Sequence, residues 1–207
     1  MAQVFKKRER DRELIVWKIE EPMSYFLSRL PEEMLSLPSE NETRNLEWLA
    51  SRYILSLLVP EARISKGTGM KPMLIDDIRY ISISHTQGYV ACIVSNLPCG
   101  IDIELDLPRI IRIAPKFNLP EELDLIKDDE KYQTRLYQIW CSKEAMYKAF
   151  GLGGIDFRKD LWVEIDALVK DDPTFEGSLM HEGREMVYKL NYVHVNEKIH
   201  LVFCEML

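Results

Sequence analysis

The chain has 207 residues, a formal net charge of -7, 46% hydrophobic residues and 29% charged residues. That is enough for one large domain or two small lobes around a real core, with a composition typical of folded rather than disordered chains. The acidic balance argues against bulk attraction to nucleic acid. No apolar run is long enough to span a bilayer, and Met-Ala-Gln-Val-Phe-Lys-Lys lacks the apolar segment of a signal peptide, so the expected compartment is cytoplasmic, with no membrane partner.

Lys6, Lys7, Arg8, Arg10 and Arg12 form a basic cluster broken by Glu9, Asp11 and Glu13, which reads as a solvated tail. Residues 13–19 (E-L-I-V-W-K-I) have strand character. Pro22 suits a helix start, with Met23, Phe26, Leu27 and Leu30 at helical spacing. Ser39 is the expected N-cap of a long helix over 40–58, with Leu46, Leu49, Tyr53 and Leu57 on its apolar stripe and Pro60 beyond its end. The two glycines in 66–71 mark a loop or hairpin turn. Strands are expected over 79–84, 89–95 and 100–104. After Pro108 the pattern turns helical, with one helix from Pro120 and a longer one over 132–150 that Gly151 ends. Strands return over 161–165, 174–180, 185–192 and 198–204.

This order predicts an α+β, mixed α/β chain in two lobes, residues 1–105 and 106–207, joined near 105–112. Cys92, Cys99, Cys141 and Cys204 make no C-x-x-C pair and have no histidines at zinc-finger spacing, so buried free thiols are expected.

The candidate chemistry lies in five places. In Gly100-Ile101-Asp102-Ile103-Glu104, strand alternation puts Asp102 and Glu104 on one face and both isoleucines on the other. Two hard oxygen donors together suit Mg²⁺ with substrate phosphate; an edge strand with a polar outer face reads the same way. In W-C-S-K-E-A-M-Y-K-A, Trp140, Glu144 and Lys148 are four apart on one helix side. Glu144 is a candidate third carboxylate, and Lys143 and Lys148 are candidate phosphate partners; a solvated face with a Glu–Lys pair is the alternative. Ser84 and His85 end S-I-S-H at a strand terminus, where sites are common. Lys71 precedes Pro72, and Arg44 and Arg52 lie two turns apart along one helix side.

Taken in order, E-T-R-N-L-E-W-L-A-S-R-Y-I-L, K-P-M-L, S-I-S-H-T, C-G-I-D-I-E and W-C-S-K-E-A-M-Y-K-A resemble the 4′-phosphopantetheinyl transferases, in the larger single-chain type that activates peptide synthetases. The resemblance runs from about Trp17 to Asp156 and leaves the last fifty residues without a motif. It implies two similar lobes related by a pseudo-twofold, with the site at their junction and a monomer as the active form. It implies transfer of the phosphopantetheine arm of coenzyme A to a serine of an acyl or peptidyl carrier protein, releasing adenosine 3′,5′-bisphosphate. By the same resemblance Asp102, Glu104 and Glu144 hold Mg²⁺. Arg44, Arg52, Lys71, Ser84, His85, Lys143 and Lys148 bind coenzyme A, and Glu144 and Lys148 serve catalysis, Glu144 as base. The family often has Gly directly before Lys-Pro, whereas here Met70 stands between Gly69 and Lys71. Two other readings remain: a catalytically inactive carrier-binding homologue, and another Mg²⁺-dependent phosphoryl-transfer enzyme.

Overall fold

The computed structural model describes residues 3–35, 37–66 and 71–207; Gly69 and Met70 lie outside them. In chain order the elements are β1 (Gln3–Arg8), β2 (Arg12–Lys18), α1 (Met23–Leu27), α2 (Glu42–Leu58), β3 (Ile64–Lys66), β4 (Pro72–Leu74), β5 (Tyr80–Thr86), β6 (Tyr89–Ser95) and β7 (Cys99–Leu105). There follow α3 (Arg109–Ile113), α4 (Pro120–Asp124), α5 (Tyr132–Phe150), β8 (Leu161–Val163), α6 (Ile165–Val169), β9 (Thr174–His181), β10 (Arg184–Asn196) and β11 (Ile199–Met206). The fold is mixed α/β, as expected. One antiparallel sheet has the order β1-β2-β6-β5, a second β7-β11-β10-β9-β8, and β3 pairs with β4 alone.

Three cores stack these layers. Ile15, Trp17, Val90, Cys92 and Val94 face α1 and α2, meeting Phe26, Leu49, Ile54 and Leu55. The intervening Leu14, Val16, Ala91 and Ile93 face the other sheet, meeting Ile101, Ile103, Leu201 and Phe203. Val202 and Cys204 then point to α5, against Leu136, Ala145 and Met146. Both faces of β2 and β6 are covered, which explains why β2 reads as a continuous L-I-V-W run rather than an alternation.

The same alternation places the site. On β7, Cys99, Ile101 and Ile103 enter the core between the sheets. Gly100, Asp102 and Glu104 therefore face α5. Gly100 is where the α5 backbone comes closest: a Cβ there would overlap the Ala145 carbonyl oxygen and lie 2.9 Å from Ala149 N. Gly100→Ala must push α5 off the strand and is expected to cost several kcal/mol, in the range of an overpacked core site, about 1–3 kcal/mol or more. Chemical denaturation checks this; a variant as stable as wild type would mean that helix and strand separate freely. At the other end of α5, Gly151 adopts φ 77° and its N–H bonds the Tyr147 carbonyl, the left-handed stop the sequence indicated.

Some expectations need correction. The basic cluster is not a tail, although Lys6, Arg8 and Arg10 are exposed as expected: residues 3–8 pair with β2, Lys6 and Arg8 lie against Glu13, and Arg12 makes a 2.6 Å ion pair with Glu205 of β11. The N-cap of α2 is Asn41, whose Oδ1 accepts from Arg44 N at 3.0 Å, while Ser39 Oγ accepts from Asn41 N. Leu57 is exposed, and the buried stripe of α2 runs through Leu49, Ala50, Ile54, Leu55 and Leu58. The strand expected to reach Ile165 ends at Val163, and residues 165–169 form α6. All four cysteines are buried and free, as expected.

Candidate active site

Asp102 is only 4% exposed. Its Oδ1 accepts from Ser84 Oγ at 2.9 Å and from Lys148 Nζ at 2.6 Å, and Lys148 also donates to Ser84 Oγ at 2.9 Å. Its Oδ2 is buried without a hydrogen-bond partner among the described residues. Ser84 ties two elements together: its hydroxyl accepts from Ile103 N at 3.3 Å, and Ser82 Oγ likewise accepts from Ile101 N at 3.2 Å. Two serines of β5 thus satisfy N–H groups on the free edge of β7, and one of them holds the central carboxylate.

Glu104 is half-buried, with Oε1 accepting from Trp140 Nε1 at 3.1 Å and Oε2 lying 3.6 Å from Arg109. Burial, and then the charge of Asp102, push its carboxyl above the usual range. Glu144 lies one turn from Trp140 and one from Lys148 on α5. Burial first and Asp102 second push it up to about 7, with Lys148 opposing. The helix stripe Trp140-Glu144-Lys148 therefore faces β7, not solvent, and Lys148 pairs with Asp102. Cys141 behind the cluster is buried, which pushes its thiol well up and leaves it inert.

Among the described residues, no three Asp, Glu, His or Cys side chains stand close enough to cage a cation as they are. The donor set nevertheless fits one. Three carboxylates repel one another, two of them are raised in pKa partly by their neighbours, and a buried oxygen of Asp102 lacks a partner.

The other expected residues are more scattered. His85 follows Ser84 on β5 and so points to the opposite face, where Nδ1 lies 3.1 Å from Glu47 Oε2 on α2. Lys71 Nζ donates to the Ala149 carbonyl at 2.7 Å, capping the C-terminal turn of α5, and burial lowers its pKa. Arg52 lies over the Trp48 ring at 3.0 Å and donates to Ser51 Oγ at 2.8 Å; burial pushes it down to about 10, so it stays charged at neutral pH. Arg44 is exposed. Among the described residues, no hydrogen bond or ion pair joins these four to the carboxylates.

Lys143 is a correction. It is fully buried, and its Nζ donates to the Phe117 carbonyl at 2.8 Å and to Glu122 Oε1 and Oε2 at 2.9 and 3.1 Å. On a helix it points about 100° away from Glu144, into the core rather than toward a ligand. It has no free donor direction left for a phosphate. The indole bond of Trp140, the Arg109 ion pair and the Glu47–His85 pair went unseen in the sequence; Trp140 alone carried a signal, as an aromatic on the Glu144 stripe.

Comparison with known proteins fits this geometry. Residues 98–204 match the family model of the 4′-phosphopantetheinyl transferase superfamily, a stretch that holds Asp102, Glu104, Glu144 and Lys148. The chain is 31% identical over 123 residues to the 4′-phosphopantetheinyl transferase gsp of Aneurinibacillus migulanus, covering 57% of this chain and 52% of that protein. It is 37% identical over 76 residues to the 4′-phosphopantetheinyl transferase Sfp of Bacillus subtilis strain 168, covering 36% of this chain and 34% of that protein. The chain thus spans about half or less of the length of these relatives. With the matched segment taking in more than half of its residues, the chain belongs to the 4′-phosphopantetheinyl transferase superfamily.

Proposed function

We propose that this chain transfers the 4′-phosphopantetheine group of coenzyme A to a serine of an acyl or peptidyl carrier protein. The observation that carries the reading is the cluster of Asp102, Glu104 and Glu144, collected from a strand and a helix, with an unpartnered buried carboxylate oxygen and Lys148 beside it. Asp102, Glu104 and Glu144 would hold Mg²⁺, which when bound supplies charge neutralisation at the pyrophosphate. Lys148 is 26% exposed and donates to Ser84 and Asp102, which leaves its third donor direction for a phosphate oxygen. Ser84 holds Asp102 in place. Glu144, poised near neutrality, accepts the proton of the carrier serine as its oxygen bonds to phosphorus, and the P–O bond to the leaving nucleotide breaks. Arg44, Arg52, Lys71 and His85 remain proposed contacts to the nucleotide part of coenzyme A, Arg52 because it is a half-buried cation with no acidic partner among the described residues.

The proposed organisation is two similar lobes, divided near residue 105 and related by a pseudo-twofold. The strand β7 works as the shared element, laddered to β11 and bound through its free edge to the serines of β5. One copy supplies all three carboxylates, which supports a monomer as the active form. The test is mass spectrometry of an unmodified carrier protein incubated with coenzyme A, Mg²⁺ and this protein. A gain of one phosphopantetheine on the carrier serine is the expected result. No gain with fatty-acid, polyketide or peptide-synthetase carriers would exclude the transferase reading, and carrier binding without gain would indicate an inactive homologue.

A further inference from the structure

The carboxyl of Glu104 is gripped by a group outside the carboxylate set. Trp140 Nε1 donates to its Oε1 at 3.1 Å, across 36 residues of sequence. The indole is itself seated. Its ring packs on Phe117 at 4.9 Å between centroids and on Phe157 at 5.8 Å, and Phe157 packs in turn on Tyr147 at 5.4 Å. Phe117 is 1% exposed, and its carbonyl accepts from the buried ammonium of Lys143, which is neutralised by Glu122. A buried ion pair contributes little net stability, because desolvation offsets its attraction. What this pair does is fix the segment holding Phe117 to α5, in a single position beneath the indole.

We infer that Trp140 is a positioning residue: its indole N–H fixes the orientation of Glu104 toward Asp102 and Glu144, on a floor held by the Lys143–Glu122 pair. The inference rests on the reading of Asp102, Glu104 and Glu144 as cation ligands. A half-buried carboxylate on a flexible two-methylene stem otherwise turns toward solvent. The indole N–H on Oε1 fixes the carboxylate plane and leaves Oε2, which lies 3.6 Å from the exposed Arg109, as the oxygen for a cation.

Trp140→Phe keeps an aromatic ring against Phe117 and Phe157 and removes the N–H, at the cost of a small cavity where the larger indole sat. Mn²⁺ titrated by electron paramagnetic resonance in the presence of coenzyme A is expected to bind about tenfold more weakly to this variant, as for loss of a partner behind a metal ligand. Its unliganded melting temperature should fall by only a few degrees, leaving it folded under assay conditions, and kcat should fall more than KM rises. A purely packing role would leave Mn²⁺ affinity unchanged. In case the variant does not fold, the indole proton of Trp140 in the folded Glu104→Ala protein, followed by NMR, gives a second readout: faster exchange with water than in wild type is expected. Wild-type Mn²⁺ affinity in Trp140→Phe, or an indole proton indifferent to Glu104, overturns the inference. If instead Asp102→Asn and Glu104→Ala themselves bind Mn²⁺ as wild type does, it is the cation reading that fails.

Discussion

On the proposed function, Asp102→Asn is expected to lower transfer to a carrier protein about a thousandfold or more, since loss of one proposed ligand of a charge-neutralising cation removes several kcal/mol and each factor of ten is about 1.4 kcal/mol. The substitution is nearly isosteric, and its side-chain oxygen can still accept from Ser84 and Lys148 at the position of Oδ1. Two opposed effects act on the fold. An amide placed at Oδ2, buried without a partner, leaves N–H groups unsatisfied, at about 1–3 kcal/mol. Removing the charge also relieves Glu104 and Glu144, each raised in pKa in part by Asp102. The melting temperature should therefore move little while activity collapses. A second consequence separates this account from simple damage: with its main charged neighbour gone, Glu144 should titrate closer to the ordinary carboxylate range. Wild-type transfer by Asp102→Asn with Mg²⁺ would remove Asp102 from the site.

Much of this was legible in the sequence because the decisive patterns are local. Strand alternation separates Asp102 and Glu104 from Ile101 and Ile103, and the structure puts both isoleucines in the core between the sheets. The helix over residues 132–150 ends at Gly151 by a local rule. The helical stripe Trp140-Glu144-Lys148 also faces one way, though which way depended on β7, some forty residues distant.

What the sequence hid depends on distant partners. Residues 3–8 look like a charged tail because Lys6 and Arg8 are answered across a hairpin by Glu13, and Arg12 by Glu205, 193 residues away. Lys143 and Lys148 look equivalent in W-x-x-K-E-A-x-x-K. Helical geometry turns Lys143 into the core against Glu122 and Lys148 toward Asp102, a difference of environment and not of residue type. Ser82 and Ser84 read as the polar face of a strand. They are buried because β7 presents unpaired N–H groups to them, which only the assembled sheets reveal.

Glu144→Gln should abolish transfer and, at alkaline pH, make the protein more stable. Burial, with Asp102 second, raises the Glu144 carboxyl from 4.5 to about 7 in the folded chain. Between those values the folded state binds more protons than the unfolded one, so this group's contribution to stability is fully present below about 4.5 and is lost as pH rises through about 7. Gln cannot ionise and escapes that loss. With chelator present, the variant at pH 8 is expected to melt several degrees above wild type, given roughly 2–4 °C per kcal/mol for a chain of this size. The difference should shrink as pH falls toward 5. The rate follows the opposite sign, because a proton acceptor must be ionised: wild-type kcat/KM, which reports the free enzyme, should rise through about pH 7 to a plateau. In kcat the rise should come at lower pH, where bound cation favours the ionised carboxylate. Thermal melts of both proteins across pH 5–8, beside the wild-type rate profile, decide the matter. Equal melting temperatures at pH 8 would mean Glu144 is not held in a repulsive, buried setting, and transfer by Glu144→Gln at the wild-type rate would show that the serine proton goes elsewhere.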